Sequence, residues 1–177
     1  METQLELARQ NRVTPLMQQV AEDENMAVDQ IVSQVAAGRI VIPNNPARTG
    51  QKAVGIGTGL RTKVNASIGT SSDICDIALE VEKARVAEAE GADTLMELSA
   101  AGDLDAVRRA VIESTCLPVG NVPLYQAFHD TIRKTGDPTR MDPEFLFDLI
   151  EKQLADGLSF MAIHCGVNRY TIERLRR

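Results

Sequence analysis

The stretch GADTLMELS at residues 91–99 decides the fold. Glycine, here Gly91, commonly ends a helix, and Thr94–Leu98 reads as an extended segment with the length of a strand. A carboxylate, Glu97, stands inside this segment. Because an unpaired buried charge is very costly, we expect Glu97 to be paired, ligated or at an open end of the sheet.

The same pattern of an extended segment followed by an amphipathic helix repeats along the chain. The predicted strands are Arg61–Ile68, Thr94–Leu98, Leu117–Val122 and Ser159–His164. The predicted helices begin at Ser71, near Asp103 and at Asp142–Pro143. The inward stripe predicted for the first of them consists of Ile74, Ile77, Ala78, Val81 and Ala84. This alternation predicts a parallel sheet covered by helices.

Polar residues at the strand ends distinguish between two parallel architectures. Four successive strands end in them: Asn65 and Ser67, Glu97 and Ser99, Asn121 with Tyr125, and His164. In a barrel all these ends face one mouth, whereas an open sheet binds its ligand at one switch point. We therefore expect an α/β fold that is part of a (β/α)8 TIM-type barrel.

The chain is short for a complete barrel, which typically needs about 250 residues. We expect residues 53–177 to form the first β/α units of an incomplete barrel, with unpaired strand edges that make it behave poorly alone. Residues 1–52 read as a helical preface. Thr14–Pro15 is a cap followed by a first-turn proline, a helix spans 27–37, and Arg39–Ile42 is a short strand.

Composition favours a small-molecule partner. The chain has 19 Lys and Arg against 25 Asp and Glu, a net charge of −6, and 3% aromatic residues, which argues against nucleic-acid binding. No apolar run approaches the roughly 20 residues of a membrane helix. The polar opening has no signal-peptide pattern, so we expect a cytoplasmic protein.

Three patterns that suggest other chemistry are weak. Gly55–Gly59 is glycine-rich, but no Lys-Ser/Thr follows it and it precedes a strand, so we expect a plain turn. The three cysteines are odd in number and widely spaced; we expect reduced thiols, with Cys75 and Cys116 as small core residues. Cys165 follows His164, but adjacent strand residues point to opposite faces, which disfavours a catalytic pair.

His164 is the stronger candidate for a site residue. It ends a continuous apolar run, where we expect a buried strand and a histidine that needs a partner. Tyr125 follows Pro123 at the end of the third strand, where its hydroxyl can contact a ligand or cap the helix. Met96 is commonly core packing. His129 lies in a predicted surface helix, and we assign it no role.

Four ordered motifs resemble the phosphomethylpyrimidine synthase family of thiamine biosynthesis. They are KVNASIG at 63–69, GADTLMELS at 91–99, GNVPLYQA at 120–127 and IHCGVN at 163–168. The opening TQLELAR at 3–9 extends the resemblance to almost the whole chain. It implies a (β/α)8 barrel in a homodimeric enzyme that uses S-adenosylmethionine and a 4Fe-4S cluster.

The resemblance also implies site residues. Ser67, Met96, Tyr125 and His164 match substrate-contacting positions for 5-aminoimidazole ribotide, and Asn65, Glu97 and Asn121 are further candidates. The chain has no CxxCxxxxC motif for a cluster and none of the family's metal-binding histidines. We therefore expect no metal ligand in this chain, and we expect the chain alone to be inactive in the radical carbon–carbon lyase chemistry of the family.

Departures from the thiamine pattern favour a sister branch. The thiamine branch reads Asn-x-Asn-Ile-Gly, Met-Asp-Leu-Ser and His-Ala, where this chain has Ser67, Glu97 and Cys165. The changes resemble 5-hydroxybenzimidazole synthase, which makes the lower-ligand precursor of anaerobic cobalamin from the same ribotide. Ser67 is then expected to help decide the product. The alternatives are synthesis of hydroxymethylpyrimidine phosphate for thiamine, and an inert ribotide-binding or structural fragment.

Overall fold

A computed structural model describes residues 2–175 of the chain. The helices are α1 Gln4–Arg9, α2 Pro15–Asp23, α3 Val28–Ala36, α4 Ile77–Ala89, α5 Leu104–Ser114, α6 Pro123–Thr135, α7 Pro143–Ala155 and α8 Arg169–Leu175, with a 3-10 turn at Pro138–Arg140. The strands are β1 Ile40–Val41, β2 Ile56–Gly57, β3 Asn65–Ile68, β4 Thr94–Glu97, β5 Val119–Asn121 and β6 Phe160–Met161. No helix within the described range is long and apolar enough to cross a membrane.

The predicted parallel sheet is confirmed. Four strands pair in the order β3-β4-β5-β6, each parallel to its neighbour. The register aligns Ser67 with Met96, Met96 with Gly120, and Gly120 with Phe160. Helices join consecutive strands, so the described chain is a mixed α/β fold with sequential β/α units.

The last strand is shorter than the sequence predicts. The final bond to β5 runs from the Ala162 amide to the Asn121 carbonyl at 2.8 Å. Beyond Asn121 the chain turns into α6 at Pro123, which has no amide proton and leads the backbone away from the sheet. Pairing therefore ends near Met161, and the predicted strand to His164 is wrong beyond that point.

Buried apolar residues form two separate clusters. One lies among α1, α2, α3 and β1, and its most buried members are Ala8, Met17, Val20, Ile31, Val35 and Ile40. The other lies between the main sheet and its helices and consists of Ala84, Leu95, Val107, Val111, Ile112, Val119 and Leu158. The sequence pattern predicts Leu104, Val107 and Val111 as the inward residues of α5; all three are buried, and Val107 and Val111 belong to this second cluster.

The start of α4 differs from the prediction. Asp76, and not the earlier serines, caps the helix by accepting hydrogen bonds from the amides of Ala78 at 2.8 Å and Leu79 at 3.3 Å. Ile74 therefore lies outside the helix and is exposed, and the buried positions of α4 are Glu80 and Ala84. The predicted apolar stripe is wrong except near its end, because the cap begins the helix later.

The glycine-rich segment forms a strand and a turn. β2 pairs antiparallel with β1, and the Thr58 amide donates to the Arg39 carbonyl at 3.0 Å. A Cβ at Gly57 would lie 2.7 Å from Cα of Ile40, with φ at +153°, so only glycine permits this approach. The expectation that Gly55–Gly59 is a structural segment and not a nucleotide-binding loop fits this placement.

An ion pair joins the N-terminal helices to the sheet. The Lys63 ammonium lies 2.7 Å from the Glu24 carboxylate, and both side chains are almost fully buried. Glu24 also accepts a hydrogen bond from the Arg61 backbone amide at 2.8 Å, and it is the C-terminal cap of α2. The entry to β3 is therefore fixed against the end of α2.

Candidate functional site

The carboxyl ends of β3 and β4 are fastened to each other. The Thr70 amide donates to the Ser99 hydroxyl at 2.9 Å, and the Thr70 hydroxyl donates to the Ala101 carbonyl at 2.6 Å. A Cβ at Gly69 would lie 2.6 Å from the Ser99 amide nitrogen, and φ there is +151°. The glycine that follows β3 therefore lets the two strand ends touch, which makes this end of the sheet well defined.

Two predicted site residues, Ser67 and Met96, are register partners on adjacent strands. Residues paired this way in a parallel sheet project from the same face. Met96 is buried and Ser67 is exposed. The hydroxyl and the thioether therefore share one face near the carboxyl ends of β3 and β4.

The other two predicted site residues, Tyr125 and His164, are stacked. Their ring centroids are 6.1 Å apart, with an angle of 23° between the planes. Tyr125 lies in the first turn of α6, 42% exposed, and His164 lies beyond β6 and is also exposed. The expectation that His164 ends a buried strand is wrong; it lies beyond the strand against an aromatic ring.

The four residues thus form two pairs at one end of the sheet. Tyr125 follows β5, which is hydrogen-bonded to the strand of Met96. His164 follows β6, the next strand in order. A role in binding for Ser67, Met96, Tyr125 and His164 stays a prediction, and this placement is the one it requires.

The three further candidates lie elsewhere. Glu97 projects from the same face as Leu95, which packs against the helices, because side chains alternate along a strand. The Asn121 amide donates to Gln153 of α7 at 3.0 Å, on that same helix side. Asn65 accepts a hydrogen bond from the Thr94 hydroxyl at 2.9 Å at the start of β3. Their contact with a ligand stays a prediction; Glu97 and Asn121 line the same small recess as Tyr125.

Glu97 is nonetheless unusual. Burial raises the pKa of its carboxyl, and this outweighs the hydrogen bond from the Ser99 amide at 2.7 Å and the nearby positive charge of Arg108. Glu80, another buried carboxylate, adds repulsion in the same direction. Glu97 is thus a buried acid with a raised pKa that lines the same small recess as Tyr125, a pattern found at functional sites and in structural ion-pair networks.

Sequence reasoning missed a buried polar cluster beside this end of the sheet. It links α5, α6, α7 and β5, and its members are Asp105, Arg108, Asn121, Gln126, Lys152, Gln153 and Asp156. Burial alone would raise the pKa of Asp105, but hydrogen bonds from Lys152, Gln126 and Arg108 outweigh it and hold that pKa far below its ordinary value. The available signal was a set of polar residues interrupting the apolar stripes of three helices.

A large cavity among residues 2–175 lies away from the predicted site, and a small recess adjoins it. A cavity of about 510 Å³ lies at the opposite, amino end of the sheet, next to Arg48, Glu88 and Cys116. There Arg48 donates to the carbonyls of Leu117 at 2.8 Å and Thr115 at 2.7 Å, so its lining is fixed by structural bonds. Near the carboxyl ends, a recess of about 10 Å³ is lined by Tyr125 and its neighbours, which is the size of one water.

The expectation that Cys75 and Cys116 are small core residues is wrong. Cys75, Cys116 and Cys165 are all exposed, so the first two are not core residues. Cys75 donates to the Ala101 carbonyl at 3.4 Å near the carboxyl ends, whereas Cys116 lines the cavity at the amino end. Within residues 2–175 no group of three or more His, Cys, Asp or Glu side chains is placed to hold a metal ion.

Comparison with known proteins gives a consistent set of similarities. The model of the radical SAM ThiC family matches residues 3–177. The 5-hydroxybenzimidazole synthases of Desulforapulum autotrophicum and Geobacter sulfurreducens are 68% and 64% identical over 177 residues, all of this chain and 40% of each relative. Phosphomethylpyrimidine synthase 1 of Methanothermobacter thermautotrophicus is 53% identical over 175 residues, 99% of this chain and 40% of the relative. The chain therefore spans about 40% of the length of these relatives.

Proposed function

The chain belongs to the radical SAM ThiC family, and from that we propose that it supplies the first β/α units of a (β/α)8 barrel that binds 5-aminoimidazole ribotide. The sequential strand order β3-β4-β5-β6 supports this, because an open doubly wound sheet reverses its order at a switch point. We place the barrel units at 53–177 and the helical preface at 1–52. The two separate apolar clusters support a division into two parts, although the first cluster extends past residue 52 to Ala53 and Leu60.

The ribotide is proposed to bind at the carboxyl ends of the strands. The observation that carries this is the stack of Tyr125 on His164. It holds a hydroxyl and an imidazole together where β5 and β6 end, at the edge of the sheet that we call the rim. These two side chains orient the ribotide by hydrogen bonds, and Met96 packs against its imidazole or ribose. Ser67, exposed on the same face as Met96, contacts the part of the ligand that differs between products.

Of the two branches, we propose synthesis of 5-hydroxybenzimidazole for the lower ligand of cobalamin. The relatives named 5-hydroxybenzimidazole synthase are 68% and 64% identical to the chain, and the relative named phosphomethylpyrimidine synthase 1 is 53% identical. The short hydroxyl of Ser67, where the thiamine branch has an amide, supports the same choice. Carbon–carbon lyase chemistry, a homodimer and a cytoplasmic location stay predictions.

The cofactors of the family do not all fit the described residues. S-adenosylmethionine with a 4Fe-4S cluster supplies radical chemistry in radical SAM enzymes. A 4Fe-4S cluster is held by cysteine thiolates, whereas Cys75 and Cys116 lie toward opposite ends of the sheet and no metal-binding group is formed among residues 2–175. We propose that this chain's own residues bind and orient the ribotide.

Ligand-dependent stability tests the binding proposal. Adding 5-aminoimidazole ribotide during thermal unfolding should raise the midpoint in a dose-dependent way, equivalent to about 2.7 kcal/mol at 100 times the Kd. Ribose 5-phosphate, which lacks the aminoimidazole, is the control and should give a smaller rise. An unchanged midpoint at millimolar ribotide would favour the structural-fragment alternative.

Turnover is a separate measurement. Anaerobic reconstitution with S-adenosylmethionine, iron and sulfide, followed by assay for 5′-deoxyadenosine, reports radical chemistry by the protein that contains this chain. Product analysis then separates the branches. We expect 5-hydroxybenzimidazole, and exclusive formation of hydroxymethylpyrimidine phosphate would show that the thiamine alternative is correct.

A further inference from the structure

A buried arginine organises the polar cluster beside the rim. Arg108 of α5 is 1% exposed, and its Nη2 donates to Asp105 at 2.6 Å and to Asp156 at 2.7 Å. Two carboxylates on α5 and at the end of α7 therefore fix the guanidinium plane. Its Nη1 donates at 2.7 Å to the side-chain oxygen of Gln126 on α6.

Gln126 is held from three directions. Its Oε1 accepts from Arg108 and, at 2.9 Å, from Gln153 Nε2, while its own Nε2 donates to Asp105 at 2.9 Å. Both lone-pair positions of the amide oxygen are thus occupied, and the side chain is 7% exposed. These hydrogen bonds hold the Gln126 side chain in one orientation, and they thereby hold the backbone of α6 at this residue.

The residue before Gln126 is Tyr125, which stacks on His164 at the rim. Successive helix residues are about 100° apart around the axis, so fixing Gln126 inward fixes the direction of Tyr125. The first turn of α6 is buried at Pro123 but lacks a capping side chain. Its N-cap, Val122, has no side-chain cap hydrogen bond, and its first residue is Pro123.

We propose that Gln126 is a positioning residue, which holds Tyr125 in its stacked position through the hydrogen bonds it makes to Arg108, Asp105 and Gln153. Gln126 contacts no ligand itself. It acts on the site through the backbone of α6, anchored by the buried Arg108 and the partly buried Asp105. The proposal rests on the proposed function in that Tyr125 is taken to contact the ribotide.

Histidine NMR tests the positioning without any activity. The chain has two histidines, so the imidazole Cε1–H resonances of His129 and His164 are readily assigned. Stacking on Tyr125 displaces the His164 resonance, and Tyr125→Leu defines the unstacked value. Gln126→Leu should move His164 most of the way to that value and leave His129 of the same helix in place. A His164 resonance that stays at its wild-type position in Gln126→Leu would overturn the proposal.

Ligand affinity gives a second readout. In titration calorimetry, Gln126→Leu should raise the Kd for the ribotide about tenfold, and Tyr125→Leu in the Gln126→Leu background should add little. Val111→Ala, which weakens the neighbouring apolar cluster without touching the polar one, controls for lost stability and should leave the Kd unchanged. Equal changes of the Kd in Gln126→Leu and Val111→Ala, or fully additive effects with Tyr125→Leu, would contradict positioning.

A second variant and a wild-type control distinguish failure of the positioning proposal from misfolding and from failure of the proposed function. If Gln126→Leu does not fold, Gln153→Met removes the 2.9 Å bond to Gln126. It should shift the His164 resonance in the same direction and raise the Kd two- to threefold. No change in either measurement for that variant would also overturn the proposal. If wild-type protein neither binds nor converts the ribotide, the proposed function fails, and the His164 resonance still decides whether Gln126 positions Tyr125.

Discussion

Two carboxylates at the two ends of β4 have opposite environments. Asp93, just before the strand, is buried and accepts hydrogen bonds from the Arg61 guanidinium through both oxygens and from the Val64 amide at 2.8 Å. Burial alone would raise the pKa of Asp93, but these bonds outweigh it and hold the pKa below its ordinary value. Glu97, at the other end, has its pKa raised by burial because its compensation is incomplete.

The difference shows what each end of the sheet does. At the amino end a buried charge is neutralised by an arginine and a backbone amide, which stabilises the junction with the preceding loop. At the carboxyl end a buried charge is tolerated at a cost in stability, next to the exposed pair Tyr125 and His164. Parallel β/α folds place their ligands at carboxyl ends, so substitutions at the two ends should have different consequences.

The largest effect is expected at the amino end. Asp93→Ala removes the partner of Arg61 and of the buried Val64 amide, so it should lower the free energy of unfolding by about 2–3 kcal/mol. Urea denaturation measures this. Asp73→Ala, at an exposed aspartate, is the matched control and should change stability by less than about 0.5 kcal/mol. Equal losses of stability in Asp93→Ala and Asp73→Ala would show that Asp93 does not stabilise the amino end of the sheet.

The next effect is on ligand affinity at the carboxyl end. Tyr125→Leu removes the stacked ring and its hydroxyl, and it should weaken ribotide binding about tenfold, equivalent to about 1.4 kcal/mol, with little loss of stability. Titration calorimetry measures the Kd. The chain's other tyrosine, Tyr170, is 78% exposed on α8, and Tyr170→Leu should leave affinity unchanged. An unchanged Kd in Tyr125→Leu would show that Tyr125 does not contact the ribotide.

A smaller effect with opposite sign at the two ends is expected in the pH dependence of stability. The folded pKa of Glu97 is above its unfolded value of about 4.3. Its contribution to the free energy of unfolding is therefore fully present below about pH 4.3 and is lost as pH rises through the folded pKa. Asp93 has a lowered pKa, so its contribution is present above about pH 3.9 and is lost as pH falls through the folded pKa.

The variants Glu97→Gln and Asp93→Asn make these signs measurable. As pH rises from the acid range, wild-type protein should lose stability relative to Glu97→Gln and gain stability relative to Asp93→Asn, in urea midpoints measured at each pH. Parallel curves for wild type and Glu97→Gln would mean that Glu97 has the same pKa folded and unfolded. The comparison of the two ends would then be wrong at Glu97.

Local signals in the sequence predicted much of the fold. Thr14 and Asp142 cap the helices that begin at Pro15 and Pro143, as their sequence patterns indicate, because a cap is decided within a few residues. β4 agrees with its prediction to one residue. β6 does not, because its length depends on where β5 stops, which no local pattern contains.

The site divides in the same way. The alternation of strands and helices predicts that polar strand ends meet, but the residue pattern alone placed His164 in a buried strand, and its stack on Tyr125 joins two distant motifs. The role of Gln126 was not visible either. Its partners come from α5 and α7, and a polar residue beside a buried alanine, Ala127, says nothing about which neighbours satisfy it.

The smallest expected effect concerns Ser67, the exposed position on the face of Met96. Ser67→Asn restores the amide of the thiamine branch. Since the side chain is exposed, the free energy of unfolding should stay within about 0.5 kcal/mol of wild type. The longer amide extends toward the register partner Met96, so ribotide affinity should change about threefold, equivalent to about 0.7 kcal/mol. Calorimetry with Ser72→Asn, a nearby exposed serine, as the control measures this difference.

Either result at Ser67 sharpens the comparison of the two ends. A changed affinity with unchanged stability is the pattern of a ligand contact, and it is the reverse of the pattern expected at Asp93. An affinity equal to that of Ser72→Asn would place the ligand away from β3. The binding surface would then lie between β4 and β6, where Met96, Tyr125 and His164 remain, and Ser67 could not select the product.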